Sequence, residues 1–480
     1  MESAHTPDPR RWEALALVCV AMFMTVLDVS IVNVALPSIK TALHVSENTL
    51  QWVLIAYTIT FGGFLLLGGR AADLLGRRRM FMIGMALFAV ASLACGLANS
   101  IAVLIAARAV QGLGAAIVSP ATLSIITTTF EEGSERNKAL GVWGAMGGSG
   151  AAAGVLFGGI LTKYAGWEWI FFVNVPVGAL VLLLTRAVVR ESRIPGLRGF
   201  DAGGAVTITS SLALLVYGVS EAPAHGWGAA STIASLAAAA ALLLSFVVRE
   251  YRFRAPLMPL GIFRIRTVAG ANAASVFLGV VVFANFFLLT LYVQNVLHYS
   301  ALKTGLTFFA TAGTLVAVAA IAQSLSTRYG PRPVLAAGFV TLTAGMILYA
   351  QIPVHGKFVP NLLPGYLLVG IGLALAFIPV SIAALAGVPP RLAGIASGLL
   401  NTSQQIGGAV GTAMVSSISL SRADHLLHIG RAPGAAYTSG YALAFWVLAG
   451  IGAAGLVLSW ALVRPQAGSV PKEEPATDLA

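Results

Sequence analysis

Asp28 and Arg108 are the two side chains whose type and position most directly suggest chemistry. Asp28 lies in the middle of an apolar stretch from Leu15 to Ile39, and Arg108 is the only basic residue that lies away from the ends of the predicted apolar segments. A charged side chain at the depth of a bilayer costs about 3 kcal/mol or more, and such residues usually serve ion or proton movement. The chemistry that this pattern suggests is the binding and release of a proton inside a membrane.

Membrane-spanning helices must position these two residues. The apolar stretches are long enough to cross a bilayer and lack the alternation of strands, which indicates helices. We predict fourteen spans, at residues 14–39, 50–69, 80–98, 101–126, 138–161, 168–189, 203–221, 229–248, 267–294, 303–326, 332–352, 361–387, 393–420 and 439–463. The sequence therefore predicts an all-α polytopic membrane protein.

The composition excludes other classes of protein. Of the 480 residues, 58% are hydrophobic and 10% are charged, whereas a soluble domain carries about 25% charged residues. The net charge of +11 comes from basic residues scattered in short loops, which argues against nucleic-acid binding. Most of them fall on the side that holds both chain ends, so both termini are expected in the cytoplasm and the protein in the cell membrane. Cys19 and Cys95 are expected to be buried and unpaired.

The predicted topology places Asp28 and Arg108 at similar depth. Asp28 lies about 14 residues into an outward-running span, which leaves about 9 Å to the outer edge of the hydrocarbon core. Arg108 lies about 7 residues into an inward-running span, about 10 Å from the same edge. If their faces meet, Arg108 can lower the proton affinity of Asp28 in one conformation and release it in the other. A purely structural ion pair is the alternative.

A basic loop with two glycines and one acid follows the second predicted span. Residues 69–79 read GRAADLLGRRR. A loop that only fixed the topology would account for the arginines but not for the acid or the glycines seven residues apart. The residues of interest are Gly69, Asp73, Gly76, Arg77 and Arg78. This loop resembles the signature of the major facilitator superfamily.

Three further segments carry the same resemblance. Residues 27–37 read LDVSIVNVALP, residues 108–116 read RAVQGLGAA, and residues 401–408 read NTSQQIGG. Together with the number of spans, they resemble the fourteen-span drug/proton antiporter branch of that superfamily. The resemblance extends over nearly the whole chain.

The resemblance implies a fold of two six-helix bundles with pseudo-twofold symmetry plus two extra central helices. Each bundle would consist of inverted three-helix repeats around a central cavity. We expect an N-terminal bundle at 1–190, a linker with the two extra helices at 191–266, a C-terminal bundle at 267–465 and a disordered cytoplasmic tail at 466–480. The extra pair is expected to pack outside the bundles, against lipid and away from the cavity.

The resemblance also implies roles for residues. Asp28 and Arg108 would couple protons to transport. Asp73 and the arginines of the 69–79 loop would act as a gate that holds the cytoplasmic ends of the bundles together. A degenerate copy of this loop is expected in the second half, where residues 326–332 are the only candidate.

The fifth span contains the glycine pattern of antiporters with one departure. Gly150, Gly154 and Gly158 lie four residues apart, with Gly159 beside them, so they form a strip that lets a neighbouring backbone approach closely. Val155 stands where the family usually has proline, so the packing role is expected without the kink. The run is not a dinucleotide-binding loop because no strand precedes it.

Polar and aromatic side chains within the spans are candidates for a substrate cavity. Amides with few charges among apolar walls suit bulky amphipathic or aromatic compounds better than sugars or small anions. For any one of them, packing or bonding between helices is an equal alternative. The candidates are Asn33, Trp52, Tyr57, Gln111, Phe283, Phe287, Tyr292, Gln294, Asn401, Gln404 and Gln405.

The sequence thus predicts a proton-coupled antiporter that exports drugs, antibiotics or other amphipathic small molecules by alternating access. A facilitator or symporter for a specific lipid or metabolite is the alternative, which Val155 leaves open. An enzyme is disfavoured because no catalytic acids or histidines cluster at one interface. His425 and His428, in the loop expected after span 13, are interpreted as solvated residues and not as a metal site. The expected partners of a monomer are protons, a small-molecule substrate and lipids, with no nucleic acid, metal or cofactor.

Overall fold

The structure is a computed structural model that describes residues 9–45, 47–131, 133–193, 201–253, 260–389 and 392–463. The predicted tail at 466–480 lies outside the described residues. Within the described ranges every regular element is helical. The α-helices are α1 (Arg11–Leu43), α2 (Glu47–Leu75), α3 (Arg77–Gly96), α4 (Ile101–Thr129), α5 (Ser134–Tyr164), α6 (Trp169–Phe172), α7 (Asn174–Val188), α8 (Ala202–His225), α9 (Ala230–Arg252), α10 (Arg266–Leu291), α11 (Ala301–Tyr329), α12 (Pro331–Tyr349), α13 (Leu363–Leu385), α14 (Ala393–His428) and α15 (Pro433–Leu462).

The helices agree with the predicted spans. Eleven helical segments of the described chain are long and apolar enough to cross a membrane, and α6 with α7 forms one of them. Three further long helices, α5, α8 and α14, occupy the remaining predicted positions. Short π-helical turns follow α10 and precede α13, at Tyr292–Val296 and Phe358–Leu362. The prediction of an all-α polytopic membrane protein is confirmed.

Local sequence signals set several helix ends. The hydroxyl of Ser100 accepts from the Val103 N–H at the start of α4, and the Asp201 carboxylate accepts from the Gly204 N–H at 2.8 Å at the start of α8. Such caps satisfy backbone donors that a helix start leaves without partners. The prediction was wrong at the end of α14, which continues to His428. His425 and His428 therefore lie in the last turns of a helix and not in a loop, because no glycine or proline occurs between Gly411 and Gly430.

The two halves have the same order of helix partners. In the first half α1 packs against α5, and α2 and α3 pack against α4. In the second half α10 packs against α14, and α11 and α12 pack against α13. Across the boundary, α5 packs against α11 and α2 packs against α14, which are equivalent pairs under exchange of the halves. The predicted pair of six-helix bundles with pseudo-twofold symmetry is confirmed.

The bundles touch near the end of the molecule at which α1 begins and α15 ends, here called the terminal face. Close to that face, Asn137 Nδ2 in α5 donates to Thr327 Oγ1 in α11 at 3.3 Å. On the opposite side of the boundary, a Cβ on Gly398 in α14 would lie 3.1 Å from the Leu65 carbonyl oxygen in α2. The two halves are therefore in contact along both pairs of boundary helices.

One helix of the central pair packs against both bundles. α9 packs against α8, but α8 packs against both α2 and α14 and so lies over the boundary between the halves. The Tyr217 ring is 5.9 Å from the Trp52 ring in α2, and Trp227 Nε1 donates to Ser417 Oγ in α14 at 2.8 Å. Our expectation that the pair packs against lipid alone is wrong for α8, whereas its separation from the cavity that holds Asp28 stays a prediction. Gly62 and Gly63 in α2 give α8 room to approach.

The glycine strip of α5 lies against the backbone of α1. A Cβ on Gly154 would lie 2.6 Å from the Leu27 carbonyl oxygen, and a Cβ on Gly150 or on Gly158 would lie 2.9 Å from carbonyl oxygens one turn to either side. Gly159 is also buried. Real side chains do not approach so closely, so only glycine permits this spacing. The strip thereby fixes the segment of α1 that carries Asp28.

Val155 lies where α5 meets the second half of the protein. A Cβ on Gly305 in α11 would lie 3.1 Å from backbone atoms of Val155 and Leu156. α5 continues without a break from Ser134 to Tyr164, as a helix without an internal proline can.

Candidate proton-coupling site

Asp28 lies fully buried among side chains that donate hydrogen bonds to it. Its Oδ2 accepts from Arg108 Nη1 at 2.5 Å. Its Oδ1 accepts from Gln111 Nε2 at 2.8 Å and from Asn174 Nδ2 at 3.1 Å. An ionised carboxylate only accepts hydrogen bonds, so three donors suit a charged Asp28. The structure thus brings together the two residues that depth alone had placed near each other.

Arg108 is held from three further directions. Its Nε donates to the Val53 carbonyl oxygen in α2 at 3.2 Å, and Nη1 donates to Gln111 Oε1 at 2.7 Å. Its guanidinium carbon lies 4.2 Å from the centre of the Tyr57 ring, within the range of a cation–π contact. The fixed fork of a guanidinium can meet these partners at once, which an ammonium group could not do.

Five spans build this site. Asp28 comes from α1, Val53 and Tyr57 from α2, Arg108 and Gln111 from α4, and the α3 and α7 helices contribute Ser92 and Asn174. Asp28 and Arg108 have no measurable exposure, and Gln111 has none either. Buried opposite charges in contact stabilise one another only while both are present, and loss of one partner leaves an uncompensated charge that costs about 3–5 kcal/mol. A proton that neutralises Asp28 would create such an imbalance at Arg108.

The loop between α2 and α3 is fastened to the segment that follows α7. Asp73 Oδ1 accepts from Arg77 Nη2 at 2.9 Å, and both side chains are buried. Arg77 also donates from Nη1 to Ser192 Oγ at 2.7 Å and from its backbone N–H to the Ser192 carbonyl oxygen at 3.0 Å. These contacts lie within the first half of the protein. The expected gate between the two bundles stays a prediction.

Glu191 caps the start of α3. Its Oε1 accepts from the Arg78 N–H and its Oε2 from the Arg79 N–H, each at 3.2 Å. A carboxylate at a helix N-terminus satisfies free backbone donors and interacts favourably with the helix dipole. Gly76 directly precedes α3 with φ +108°, and a Cβ there would lie 2.7 Å from Glu191 Oε1. Gly76 is therefore favoured by its conformation, because the Glu191 carboxylate could move away from a Cβ, whereas Gly69 is simply buried within α2.

The predicted second loop occupies the equivalent place in the second half. Gly330 has φ +81° between α11 and α12, as Gly76 has between α2 and α3. Thr327 lies three residues before Gly330, just as Asp73 lies three residues before Gly76. The Thr327 hydroxyl accepts a hydrogen bond from Asn137 of the first half. The second copy thus keeps the turn and lacks the acid.

Two of the residues predicted to line a substrate cavity lie in the buried network around Asp28 and Arg108. Tyr57 is 2% exposed beneath Arg108, and Gln111 bonds to Asp28 and Arg108. Neither side chain faces an open space in this conformation. Tyr292 is also buried, and its hydroxyl donates to the Pro353 carbonyl oxygen at 2.6 Å, a contact between a helix end and a loop. In this conformation all three side chains lie buried between packed elements, and their part in a substrate cavity stays a prediction.

The remaining candidates are spread over both halves. Asn33 and Asn401 donate to carbonyl oxygens of their own helices, those of Val29 and Ser397. Phe283 is 36% exposed and lies against Gly408 of α14. The half-buried candidates are Trp52, Phe287, Gln294, Gln404 and Gln405. Their part in a substrate cavity stays a prediction.

Asn174 and Ser92 are site residues that the sequence interpretation missed. Asn174 lies about 6 residues into the inward-running sixth predicted span, about 9 Å from the outer edge, and Ser92 lies at the same distance from the outer end of the third. Both depths match that of Asp28. Depth matching applied to every polar residue within a span, and not only to charged ones, would have found them.

Comparison with known proteins agrees with this architecture. Residues 18–412 match the family model described as Major Facilitator Superfamily. The chain is 38% identical over 464 residues to the puromycin resistance protein pur8 of Streptomyces alboniger, covering 95% of this chain and 92% of that protein. It is 40% identical over 410 residues to the cephamycin export protein CmcT of Amycolatopsis lactamdurans, covering 85% and 84%.

Solved structures share the fold at low sequence identity. The human organic anion transporter MFSD10 matches with a TM-score of 0.67 at 17% identity, over 94% of this chain and all of that one. The proton:xylose symporter XylE matches with a TM-score of 0.66 at 16% identity, over 95% and 97%. The match to the family model and the relatives above have a direct consequence: this chain is a membrane transporter, not an enzyme, and it belongs to the Major Facilitator Superfamily.

Proposed function

We propose that this protein is a proton-coupled antiporter that exports antibiotics or other amphipathic small molecules from the cell. The observation that carries the proposal is the buried contact between Asp28 and Arg108, with two neutral amides completing the shell of the carboxylate. A buried acid with a removable charge partner can bind a proton in one state and release it in another.

The drug-export part of the proposal is supported by the relatives. Their names describe puromycin resistance, cephamycin export, and tetracenomycin C resistance and export, the last at 33% identity over 425 residues in a protein from Streptomyces glaucescens. The amides and aromatic rings of the remaining cavity candidates suit such bulky compounds. Asp28 is committed to Arg108, so dications are expected to be poor substrates.

The proposed cycle couples the charge of Asp28 to the position of α1. In the conformation described here the halves are in contact near the terminal face, which the predicted topology places in the cytoplasm, and also towards the opposite face, where Gly305 meets Val155. Asp28 is then ionised and paired. Protonation removes the attraction to Arg108, so α1 and α4 can shift relative to each other and the cytoplasmic contacts can open. Substrate binding from the cytoplasm would release the proton and restore the pair.

The loop around Asp73 is proposed to set the rate of this cycle. Asp73, near the end of α2, accepts a hydrogen bond from Arg77, and Arg77 also donates to Ser192 in the segment after α7. These contacts fix the end of α2, and α2 also packs against α14 of the second half, so they can affect how fast the halves separate. Loss of the Asp73 charge is therefore expected to slow cycling more than it weakens substrate binding.

The test uses inverted membrane vesicles that contain the full chain, with an imposed pH gradient and a panel of antibiotics and dyes. The wild-type protein should accumulate substrate only with the vesicle interior acidic, and substrate addition should dissipate the gradient. Asp28→Asn keeps the shape but cannot titrate, so uptake driven by pH should fall to the background. Thr25→Val is the matched control, because Thr25 is a buried residue of α1 that bonds only to its own helix.

Two results would overturn the proposal. Robust pH-driven uptake by Asp28→Asn would remove the coupling role of this acid. Accumulation by the wild type with the opposite gradient would mean symport, which is the alternative that Val155 left open.

A further inference from the structure

Asn174 is the donor to Asp28 that comes from the sixth span, and it touches a second helix as well. We propose that Asn174 is a positioning residue that sets the pH at which Asp28 gives up its proton. The proposal rests on the proposed proton coupling at Asp28 and assigns to α7 a part in it. Its basis is the geometry of the amide, its burial and the break in the helix from which it extends.

The hydrogen bonds around Asn174 fix the orientation of its amide. Nδ2 lies 3.1 Å from Asp28 Oδ1 and 3.1 Å from Ser92 Oγ. The Ser92 hydroxyl donates to the Phe171 carbonyl oxygen at 2.9 Å, so its oxygen is available to accept from Asn174. A reversed amide would place its carbonyl oxygen against a carboxylate and lose both bonds. Asn174 therefore acts as a donor to the ionised form of Asp28.

The backbone places Asn174 at a discontinuity. α6 ends at Phe172, and α7 begins at Asn174. Pro176 has no N–H and disfavours helical conformation in the residue before it, so the hydrogen-bond ladder is interrupted here. Pro176 offers no N–H to the Phe172 carbonyl oxygen, and the adjacent Phe171 carbonyl oxygen accepts from the Ser92 hydroxyl. Asn174 is 1% exposed at this point and is bonded to α1 and α3.

The groups around Asp28 show how the role of the Asn174 amide differs from that of Arg108. The titratable groups that face Asp28 among the described residues are Arg108 from α4, Tyr57 from α2 and Cys95 from α3. α5 presents the backbone at Gly154 to this part of α1, and α7 presents Asn174. Arg108 supplies the opposing charge, whereas Asn174 adds a neutral donor. Its bond strengthens only when Asp28 is ionised, because a hydrogen bond to a charged acceptor is about twice as strong as one to a neutral acceptor.

This arrangement makes the proton affinity of Asp28 depend on the position of α7. If α7 moves away from α1, Asp28 loses one of its donors and holds its proton to a higher pH. The proton affinity of Asp28 therefore depends on the position of α7 as well as on that of α4, which carries Arg108.

The experiment measures the titration of Asp28 directly in the purified full chain. Infrared difference spectra recorded across a pH series, with Asp28→Asn as the reference, isolate the carboxyl band of this residue. Asn174→Ala should shift the midpoint of that band to higher pH by about one unit, which is a tenfold increase in proton affinity. The pH midpoint of vesicle transport should move by the same amount and in the same direction.

Two further variants keep the test decisive. Ser92→Ala retains the amide but removes its second anchor, and it should shift the midpoint in the same direction by about threefold in proton affinity. Thr185→Ala is the matched control in α7, because the Thr185 hydroxyl is buried and donates to the Val181 carbonyl oxygen of its own helix. It should leave the midpoint unchanged.

The outcomes separate this proposal from the proposed function. Unchanged midpoints in folded Asn174→Ala and Ser92→Ala would overturn the role of Asn174 while leaving coupling by Asp28 intact. A shifted infrared midpoint together with wild-type transport that ignores the pH gradient would support the positioning role and overturn proton coupling. An equal shift in Thr185→Ala would mean that any disturbance of α7 suffices and would refute the specific contact.

Discussion

Gly154→Ala is expected to destabilise the protein even though alanine favours helices. A Cβ at this position would lie 2.6 Å from the Leu27 carbonyl oxygen and 2.7 Å from Ser30 Cβ. These atoms belong to the backbone of α1 or lie next to it, so they cannot rotate away. α5 and α1 must therefore separate by about 0.7 Å to restore ordinary contact, and the close packing of the surrounding helices resists this.

The expected loss of stability is the difference between two terms. Overpacking of this kind costs about 1–3 kcal/mol, and the replacement of a helical glycine by alanine returns up to about 1 kcal/mol. The net destabilisation should be about 1–2 kcal/mol. Because Leu27 directly precedes Asp28, the same separation would disturb the geometry of the contact between Asp28 and Arg108, and transport should fall more than stability alone explains.

Thermal unfolding of the purified protein in detergent measures the effect. Gly450→Ala is the matched control, since a Cβ on Gly450 in α15 meets nothing within 4 Å. That variant should be as stable as the wild type or slightly more so. Gly150→Ala and Gly158→Ala, with closest approaches of 2.9 Å, should fall between the two. Equal midpoints for Gly154→Ala and Gly450→Ala would refute the reasoning.

Two other predictions concern the central pair of helices. Trp227→Phe and Ser417→Ala should each cost about 1 kcal/mol of unfolding free energy, and their effects should not add because they remove one hydrogen bond; full additivity in a double-mutant cycle would contradict this. Burial alone would raise the pKa of the Asp201 carboxyl, but hydrogen bonds from Arg249 and the Gly204 N–H outweigh it and lower the pKa. The resulting stabilisation is present above the unfolded pKa of about 3.9 and is lost as pH falls through the lower folded value. Asp201→Asn should therefore unfold at a lower temperature than the wild type at pH 7, and the difference should shrink below about pH 4; a difference independent of pH would argue against the charged contact between Asp201 and Arg249.

The arrangement of spans was predictable because the bilayer imposes strong rules on sequence. Apolar length marks each helix, and the distribution of basic residues predicts orientation. The same rules give depth, and depth was enough to pair Asp28 with Arg108. Depth carries no information about rotation of a helix around its axis. For that reason the interpretation of Tyr57 and Gln111 as cavity residues could not be separated from their actual place beside Arg108.

The position of α8 could not be derived from its own sequence. A span surrounded by lipid and a span packed over a boundary between bundles are both apolar, so hydropathy does not distinguish them. Tyr217 and Trp227 look like ordinary residues of a span and its exit, and their partners Trp52 and Ser417 are distant in sequence. Asn174 was missed for another reason. A neutral amide two residues before a proline is typical of a helix start, and only a comparison of its depth with that of Asp28 indicates a role in the site.

The cover that α8 forms over α2 and α14 makes the two sides of the transporter unequal towards the lipid. A molecule dissolved in the bilayer meets an added helix over one seam, whereas among the described residues neither extra helix packs extensively against the equivalent seam between α5 and α11. The pseudo-twofold symmetry of the two bundles therefore does not extend to their contact with the membrane, because α8 separates one boundary from the lipid.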